Sequence, residues 1–511
     1  MMPVSHWPTA VKRHALNPNL HLMAASPLAW SLGLHVVSRM LLARTGVRFD
    51  ASSLPWYWQY IDPELLRTDL WRSLFYLHSQ PPLFNAFLGL GIHVSPDHTT
   101  AFFRYAYVGL GLVFHIALYA LLRCCGAPRL VAAAAALLFL VSPAALLYEN
   151  WLFYSYPLAV GLCVLPVLVY RYVVGLRAVD GIALFTVIAA LALTRSVLHL
   201  AWCVAVLAIV LAAIPGRARR RTLAVASVPL ACVLALYVKN AAVFGEFGPS
   251  SWLGMNLAKL TVDERSIDRA EREALIRAGT LSPVARIDTF SAIDRYPREL
   301  TDVIVRDVPV LTQTTKPADV PNFNHAAYVK ISRQYLRDST ALIRARPGIY
   351  LRSVGRSVAI YALPASDFWT LTRNREAIAR WDALWSFYLN GALGPLLVAN
   401  PTPITSDPYR PRTVSYAAEH AAYGWMVLLV IAVTISLNRG IRWVRVGGAE
   451  PSARGAMLLV IAFTIVFAMT VGNLFESGEN NRYRFMLDSL VWAVPIGTCA
   501  GFLVRRRSTR T

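Results

Sequence analysis

Side chains able to move a proton or hold a phosphate gather in a few short polar stretches of this 511-residue chain. The densest spans positions 62–85 and reads Asp-Pro-Glu-Leu-Leu-Arg-Thr-Asp-Leu-Trp-Arg-Ser-Leu-Phe-Tyr-Leu-His-Ser-Gln-Pro-Pro-Leu-Phe-Asn. It holds Asp62, Glu64, Asp69, His78 and Gln80, and Asp50 lies shortly before it. The others are Tyr148-Glu149-Asn150, Arg195 with His199, Lys239-Asn240, and a late group of Glu476, Glu479, Asn481, Arg482 and Arg484. A carboxylate beside a substrate hydroxyl can take its proton, a role worth ~10²–10⁴ in rate. Arginine or lysine can hold a phosphate and stabilise charge growing on a leaving oxygen. The chain carries both kinds of group.

The elements that must position them are set by composition. The chain is 56% hydrophobic and 15% charged, with a mean hydropathy of +0.46. A soluble domain carries roughly 25% charged residues, so this is an all-α polytopic membrane protein. A net charge of +21 does not point to nucleic acid. The arginines cluster in short segments between apolar runs, as expected of loops kept in the cytoplasm. The six cysteines lie in apolar runs or a predicted cytoplasmic turn, which argues against a disulfide scaffold. The first 26 residues lack a compact apolar core with a small-residue cleavage site, so 27–44 reads as a retained first helix.

Apolar runs approaching the ~20 residues that cross a bilayer fall near 24–44, 101–122, 130–148, 151–170, 180–194, 198–214, 222–240, 418–437, 455–473 and 485–504. With the N-terminus inside, the arginine-bearing segments 123–129, 171–177, 216–221, 438–445 and 505–510 all fall in the cytoplasm. Ten spans also return the C-terminus there. The periplasmic side then receives a first loop at 45–100 and a mostly helical insertion at 241–416, between a membrane module at 1–240 and the last helices at 417–511. Asp263 and Glu264 open a charged helix that stops at Gly279, and 323–345 forms another. Pro347 starts a third whose apolar part, 354–363, is too short to cross. It lies in the interface with Arg352 and Arg356 on its polar side. The insertion shows no self-contained core and reads as a cap over the helices.

On this topology the polar groups share one level of the membrane, which suits transfer of a sugar from a polyprenyl-phosphate carrier. The lipid tail stays in the bilayer while phosphate and sugar sit at its boundary. Each residue also has a plainer use. Asp62-Pro63-Glu64 reads as a helix start with Asp62 as N-cap. Arg195 can snorkel to headgroups. Glu149 is harder to dismiss, because a short turn gives an acid little room to leave the membrane boundary. Arg482 and Arg484 break the positive-inside pattern, which favours function, yet they can pair with Glu476 and Glu479.

These motifs resemble those of the GT-C superfamily of polytopic glycosyltransferases, which includes protein O-mannosyltransferases and enzymes that add sugars to lipid A. There an acid follows the first helix and a His-Pro-Pro-Leu-like element comes before the second. Here stand Asp62 and His78-Ser79-Gln80-Pro81-Pro82-Leu83. Glu149 matches a later acid, Leu193-Thr194-Arg195 a Leu-Thr-Arg-like element, and Asn481-Arg482-Tyr483-Arg484 an Arg-Tyr-Arg-type element. The resemblance implies a GT-C-like bundle of about ten helices. The expected roles are Asp62 as base, Glu149 assisting, Arg195, Lys239, Arg482 and Arg484 on phosphate, and Glu64, His78 and Gln80 along the substrate. Proline separates Asp62 from Glu64, and Ser79-Gln80 interrupts the His-Pro-Pro. Asp50 and Asp69 therefore stay open as the base, with Asp62 first by its spacing to Pro81-Pro82.

The expected activity is glycosyl transfer in the bacterial inner membrane. The partners are a polyprenyl-phosphate sugar donor, membrane lipids, and a lipid, glycan or protein acceptor, with no nucleic acid. No cofactor is assigned. A divalent metal has no compact ligand cluster in the sequence to support it. Two rivals remain. His35, Arg39, His115 and Pro157 would suit a secondary transporter or flippase, and dispersed acids would suit a non-catalytic assembly subunit.

Overall fold

A computed structural model of the chain describes residues 26–303, 305, 307–386 and 423–508. Expectations for the first 25 residues, for 387–416, for the start of the 418–437 run and for the last three residues lie outside these. Among the described residues the fold is helical, with two isolated bridges, Asp50 to Trp151 and Thr315 to Pro321.

Every expected apolar run with described residues forms a helix. They are α1 (Pro27–Arg44), then, after a loop holding α2 (Pro63–Thr68), α3 (Leu70–Tyr76) and α4 (Leu83–Val94), the long α5 (Thr99–Cys125). Next come α6 (Arg129–Leu140), α7 (Pro143–Glu149), α8 (Ser155–Gly175), α9 (Ala178–Thr194), α10 (Leu200–Ala213) and α11 (Gly216–Phe244). Beyond the insertion lie α16 (Tyr423–Val446), α17 (Ala449–Phe475) and α18 (Asn480–Ser508). Six of these, α5, α8, α11, α16, α17 and α18, are long and apolar enough to cross a membrane, and α6 with α7 makes a seventh. That differs from ten equivalent spans. At 1.5 Å per residue α9 and α10 reach only about 25 and 21 Å, short of the ~30 Å hydrocarbon layer.

The seventh span is bent by 64°. Ser142 caps a fresh helix through Oγ to the Ala145 N–H, and Pro143 takes its first position, where a missing N–H costs nothing. The bend sends Glu149 inward, so it ends a helix and is buried, where a tight outer turn was expected. Around α8 pack α5, α9, α17 and α18, while α1 leans mainly on α6. Helices α16 and α17 meet at Gly440 and Gly455, where a Cβ on Gly455 would lie 2.8 Å from the Gly440 carbonyl oxygen. Small residues that let backbones approach are the usual membrane contact. Outward apolar side chains such as Met40, Val228 and Val430 are exposed, as lipid requires.

The insertion has a core of its own, contrary to expectation. Trp252, Met255, Phe290, Phe323, Tyr328 and Tyr335 are buried together, and Trp58 of the first loop stacks on Phe290 at 5.2 Å. The aromatics are scattered among polar residues, so no continuous apolar run announces them. Its helices include α12 (Leu253–Ala258), α13 (Arg269–Arg277), α14 (Ala327–Ala345) and α15 (Pro347–Tyr361). The charged helix starts at Asp268, whose Oδ1 accepts from Ala270 N at 2.8 Å, and not at Asp263-Glu264. It does stop at Gly279, with φ of 71°. Arg352 and Arg356 are exposed on α15, which lies against α18.

Helix α12 crosses α14 so closely that a Cβ on Gly254 would meet the Ser332 carbonyl oxygen at 1.8 Å. Backbone cannot step aside as a side chain can. Gly254→Ala is therefore expected to destabilise the protein by about 3 kcal/mol, the upper part of the overpacking range, read as a lower melting midpoint in detergent. An unchanged midpoint would mean that this crossing is looser than described.

Candidate functional site

The 62–85 stretch is built as a bracket. Asp62 caps α2, its Oδ1 accepting from Glu64 N at 2.9 Å, with Pro63 at the first helical position. Asn85 clips the loop before it, accepting from Ile61 N at 2.8 Å and donating to the Gln59 carbonyl at 3.1 Å. Glu64 faces solvent and pairs with Arg67. Beside Asp62, Lys316 from the insertion donates to the Tyr57 carbonyl at 2.6 Å. Burial pushes the Lys316 amine down to about 7, opposed by the Asp62 charge.

His78 is held on both ring nitrogens. Its Nε2 lies 2.8 Å from the Asn324 carbonyl, which can only accept, so Nε2 carries the proton. Nδ1 then accepts from Ser251 Oγ at 2.6 Å. Burial, with the charges of Lys239 and His325 nearby, pushes the imidazole down to about 4, so it is neutral at physiological pH. Ser250 Oγ donates to the Ser79 carbonyl at 2.5 Å, and Ser79 Oγ donates to Asn324 Oδ1. Lys239 Nζ donates to the Leu77 carbonyl at 2.7 Å. The segments 250–256 and 322–325, which have no evident purpose in the sequence, thus grip His78 and Ser79 from both sides.

Gln80 is aimed the other way. Its Oε1 accepts from Arg195 Nη1 at 3.1 Å, and Arg195 Nη2 donates to the Tyr483 hydroxyl at 2.5 Å. Arg482, fully buried, donates to Tyr154 OH at 2.9 Å and Ser155 Oγ at 3.2 Å, and pairs with Glu479. Both guanidinium groups lie over the Tyr154 and Tyr483 rings, within 5.3 Å of each centroid, a favourable cation–π geometry. Tyr57 OH donates to Glu479 at 3.0 Å, and Lys259 pairs with Glu476 at 2.7 Å. Burial alone would raise the Glu479 carboxyl, but Arg482, Lys259 and Arg195 hold it below the usual range. The sum is three cations against two carboxylates. Arg195 Nε and Arg482 Nε have no hydrogen-bond partner.

A second group lies between α1, α5 and the end of α7. Arg39 on α1 clasps Glu149 through Nε at 3.0 Å and Nη2 at 2.5 Å, and Tyr156 OH donates to Glu149 at 3.0 Å. Gly111 on α5 makes the room, since a Cβ there would sit 3.3 Å from the carboxylate. Asp50 is bound backbone-to-backbone to this corner: its N–H donates to the Asn150 carbonyl at 2.8 Å, and Leu152 N donates to the Asp50 carbonyl at 2.9 Å. Glu149 and Asn150 line a cavity of about 820 Å³ together with Arg39, Arg48, Phe49 and Arg104.

Of the sequence-selected residues, Gln80, Arg195 and Arg482 converge, and Glu149 forms the second group with Asp50 nearby. Glu64 stands apart on the surface. Lys239 and His78 support the bracket. Arg484 binds Asp488 at 3.2 Å and the carbonyls of Tyr361 and Leu363 at the end of α15, where a cation satisfies helix-end carbonyls. Sequence reasoning missed Arg39, Tyr57, Tyr154, Lys259 and Lys316 as members. Arg39 had a signal, being an arginine inside an apolar run. The others become visible only when distant segments meet.

No protein-family model and no curated protein matches the chain. Among solved structures, an oligosaccharyltransferase of Archaeoglobus fulgidus, solved with a tethered acceptor peptide, is similar at 12% identity and a TM-score of 0.36. The match covers 91% of this chain and 49% of that one. This chain thus spans about half the length of that one.

Proposed function

We propose that the chain is a bacterial inner-membrane glycosyltransferase, with both termini cytoplasmic, that moves a sugar from a polyprenyl-phosphate donor to an acceptor on the periplasmic side. The observation that carries this reading is the buried pairing of Arg195 and Arg482 around Tyr154 and Tyr483 beside Gln80. Two desolvated guanidinium groups with an excess of positive charge suit a phosphate, which Arg holds better than Lys through paired N–H donors. In the reaction the acceptor oxygen bonds to the sugar C1 as the C1–O bond to phosphate breaks. The electron pair goes to the phosphate oxygen facing the arginines, and the hydroxyl proton goes to a carboxylate.

We assign that carboxylate to Asp50, ahead of Asp62. Each aspartate gives one oxygen to a turn N–H, but Asp62 is buried whereas Asp50 is only half-buried. Asp50 adjoins the Glu149 corner, and its neighbours Arg48, Phe49 and Asn150 line open space, as a base needs for reach to a substrate. Glu149, fixed by Arg39 and Tyr156, orients the acceptor.

The test uses membranes containing the chain and polyprenyl-phosphate sugars labelled in the sugar. Label is expected to pass to an acceptor, and Arg195→Gln is expected to slow this by ~10²–10³, the loss of one preorganised donor. Absence of transfer from every such donor, or full activity in Arg195→Gln, would sink the reading.

A transport reading rests on a different observation. His35 and His115 are buried with ring centroids 5.3 Å apart, and Ser31 Oγ lies 2.9 Å from His115 Nε2. With Arg39 one turn from His35, this makes a line of polar groups at membrane depth, the kind that marks proton paths. Proton flux into liposomes carrying the chain, lost in His115→Phe, would favour it.

A further inference from the structure

Helices α1 and α5 touch at Ser31, His35 and His115 and diverge toward the end that carries the first loop. The resulting wedge is the 820 Å³ cavity. Its back wall is the Arg39–Glu149 pair. Its mouth carries Arg48 and Arg104, both exposed, and neither guanidinium has an ion pair or hydrogen bond among the described residues. Asp97 and His98 also stand at the mouth. Tyr105 and Val108 on α5 line it and are exposed, and Met40, beside the lining residues Arg39 and Ala43 on α1, is exposed too, Met40 at 64% and Tyr105 at 72%. Apolar side chains so exposed, on helices of a membrane bundle, face lipid. The opening therefore lies at headgroup level, with acyl-chain contacts below it and unpaired cations above.

We propose that this wedge binds the phosphate-bearing headgroup of an anionic membrane lipid, with Arg48 and Arg104 on the phosphate and the acyl chains along Met40, Tyr105 and Val108. A bilayer lipid fits better than free phosphate because the cavity is continuous with lipid-facing surface. It is also far larger than one phosphate needs. Calling that lipid the sugar acceptor rests on the proposed transfer activity, since its headgroup would lie against Glu149 and beside Asp50. The binding itself does not.

The test is native mass spectrometry of the full chain in micelles holding phosphatidylglycerol and phosphatidylcholine in equal amounts. The wild type is expected to retain phosphatidylglycerol preferentially by roughly 10- to 30-fold, as two arginines near an anionic lipid give. Arg48→Gln/Arg104→Gln is expected to lose that preference. Val108→Trp, which fills the wedge and leaves every charge in place, is expected to lose retention as well. Retention equal to wild type in either variant overturns the proposal, as does complete displacement by millimolar inorganic phosphate. Lipid retention is measured with no sugar donor present, so a failure of transfer and a failure of binding are read separately.

Discussion

Asp50→Asn is expected to lower sugar transfer by ~10²–10⁴, the worth of a positioned base, with the melting midpoint unchanged. The amide keeps what holds the side chain in place, because its oxygen can still accept from Ser52 N, as Asp50 Oδ1 does at 2.9 Å. The backbone pairing to Asn150 and Leu152 is untouched. Only the capacity to take a proton is removed. Asp62 answers differently. Asn caps a helix about as well as Asp, so Asp62→Asn is expected to keep both stability and most transfer. Asp62→Ala is expected to cost about 1 kcal/mol of stability through the lost cap. Transfer assays with purified variants at matched protein amounts decide the matter. An inactive Asp62→Asn beside an active Asp50→Asn would return the base to Asp62.

That contrast shows where sequence reading succeeds and where it stops. Helix positions were legible because each membrane segment announces itself by a local apolar run, and the Asp62-Pro63 start was legible because capping is a matter of two adjacent residues. Arg482 stood out as a charge that breaks the positive-inside pattern, and Arg195 as the end of a Leu-Thr-Arg element. Their partners did not stand out. Arg482 meets Tyr154 across more than three hundred residues of chain, and Gln80 meets Arg195 across more than one hundred. The ranking of Asp62 over Asp50 relied on distance along the chain to Pro81-Pro82. The 64° bend before Glu149 leaves no mark in that spacing, and the backbone of Asp50 pairs with Asn150 and Leu152 just beyond it. His78 was read as a wall of the site for its chemistry. Its fixed tautomer between Ser251 and Asn324 makes it a strut, a role that depends on an insertion whose contacts lie some 170 residues or more away.

The buried arginine pair raises the harder question of whether Arg482 serves the substrate or only the fold, and stability separates the two. Arg482→Gln leaves Glu479 in place with Tyr57 as its remaining donor. Removing one partner of a buried pair is expected to cost about 3 kcal/mol, the low end of the usual range, because Glu479 loses its direct ion pair while Lys259 and Arg195 stay nearby. Transfer would fall too, but an unstable enzyme explains that without any role for the arginine. Arg482→Gln/Glu479→Gln removes both charges and keeps groups that can hydrogen-bond to Tyr57 and Tyr154. Most of the lost stability is expected to return, since replacing a whole buried pair is often nearly neutral. Transfer is expected to stay down by ~10²–10³, because the donor phosphate still lacks its cation. Thermal melts and transfer rates on the same preparations give both readouts. If the double variant regains activity along with stability, Arg482 is a structural counter-ion and the phosphate site reduces to Arg195. If stability returns while activity does not, the positive charge at this position acts on the substrate.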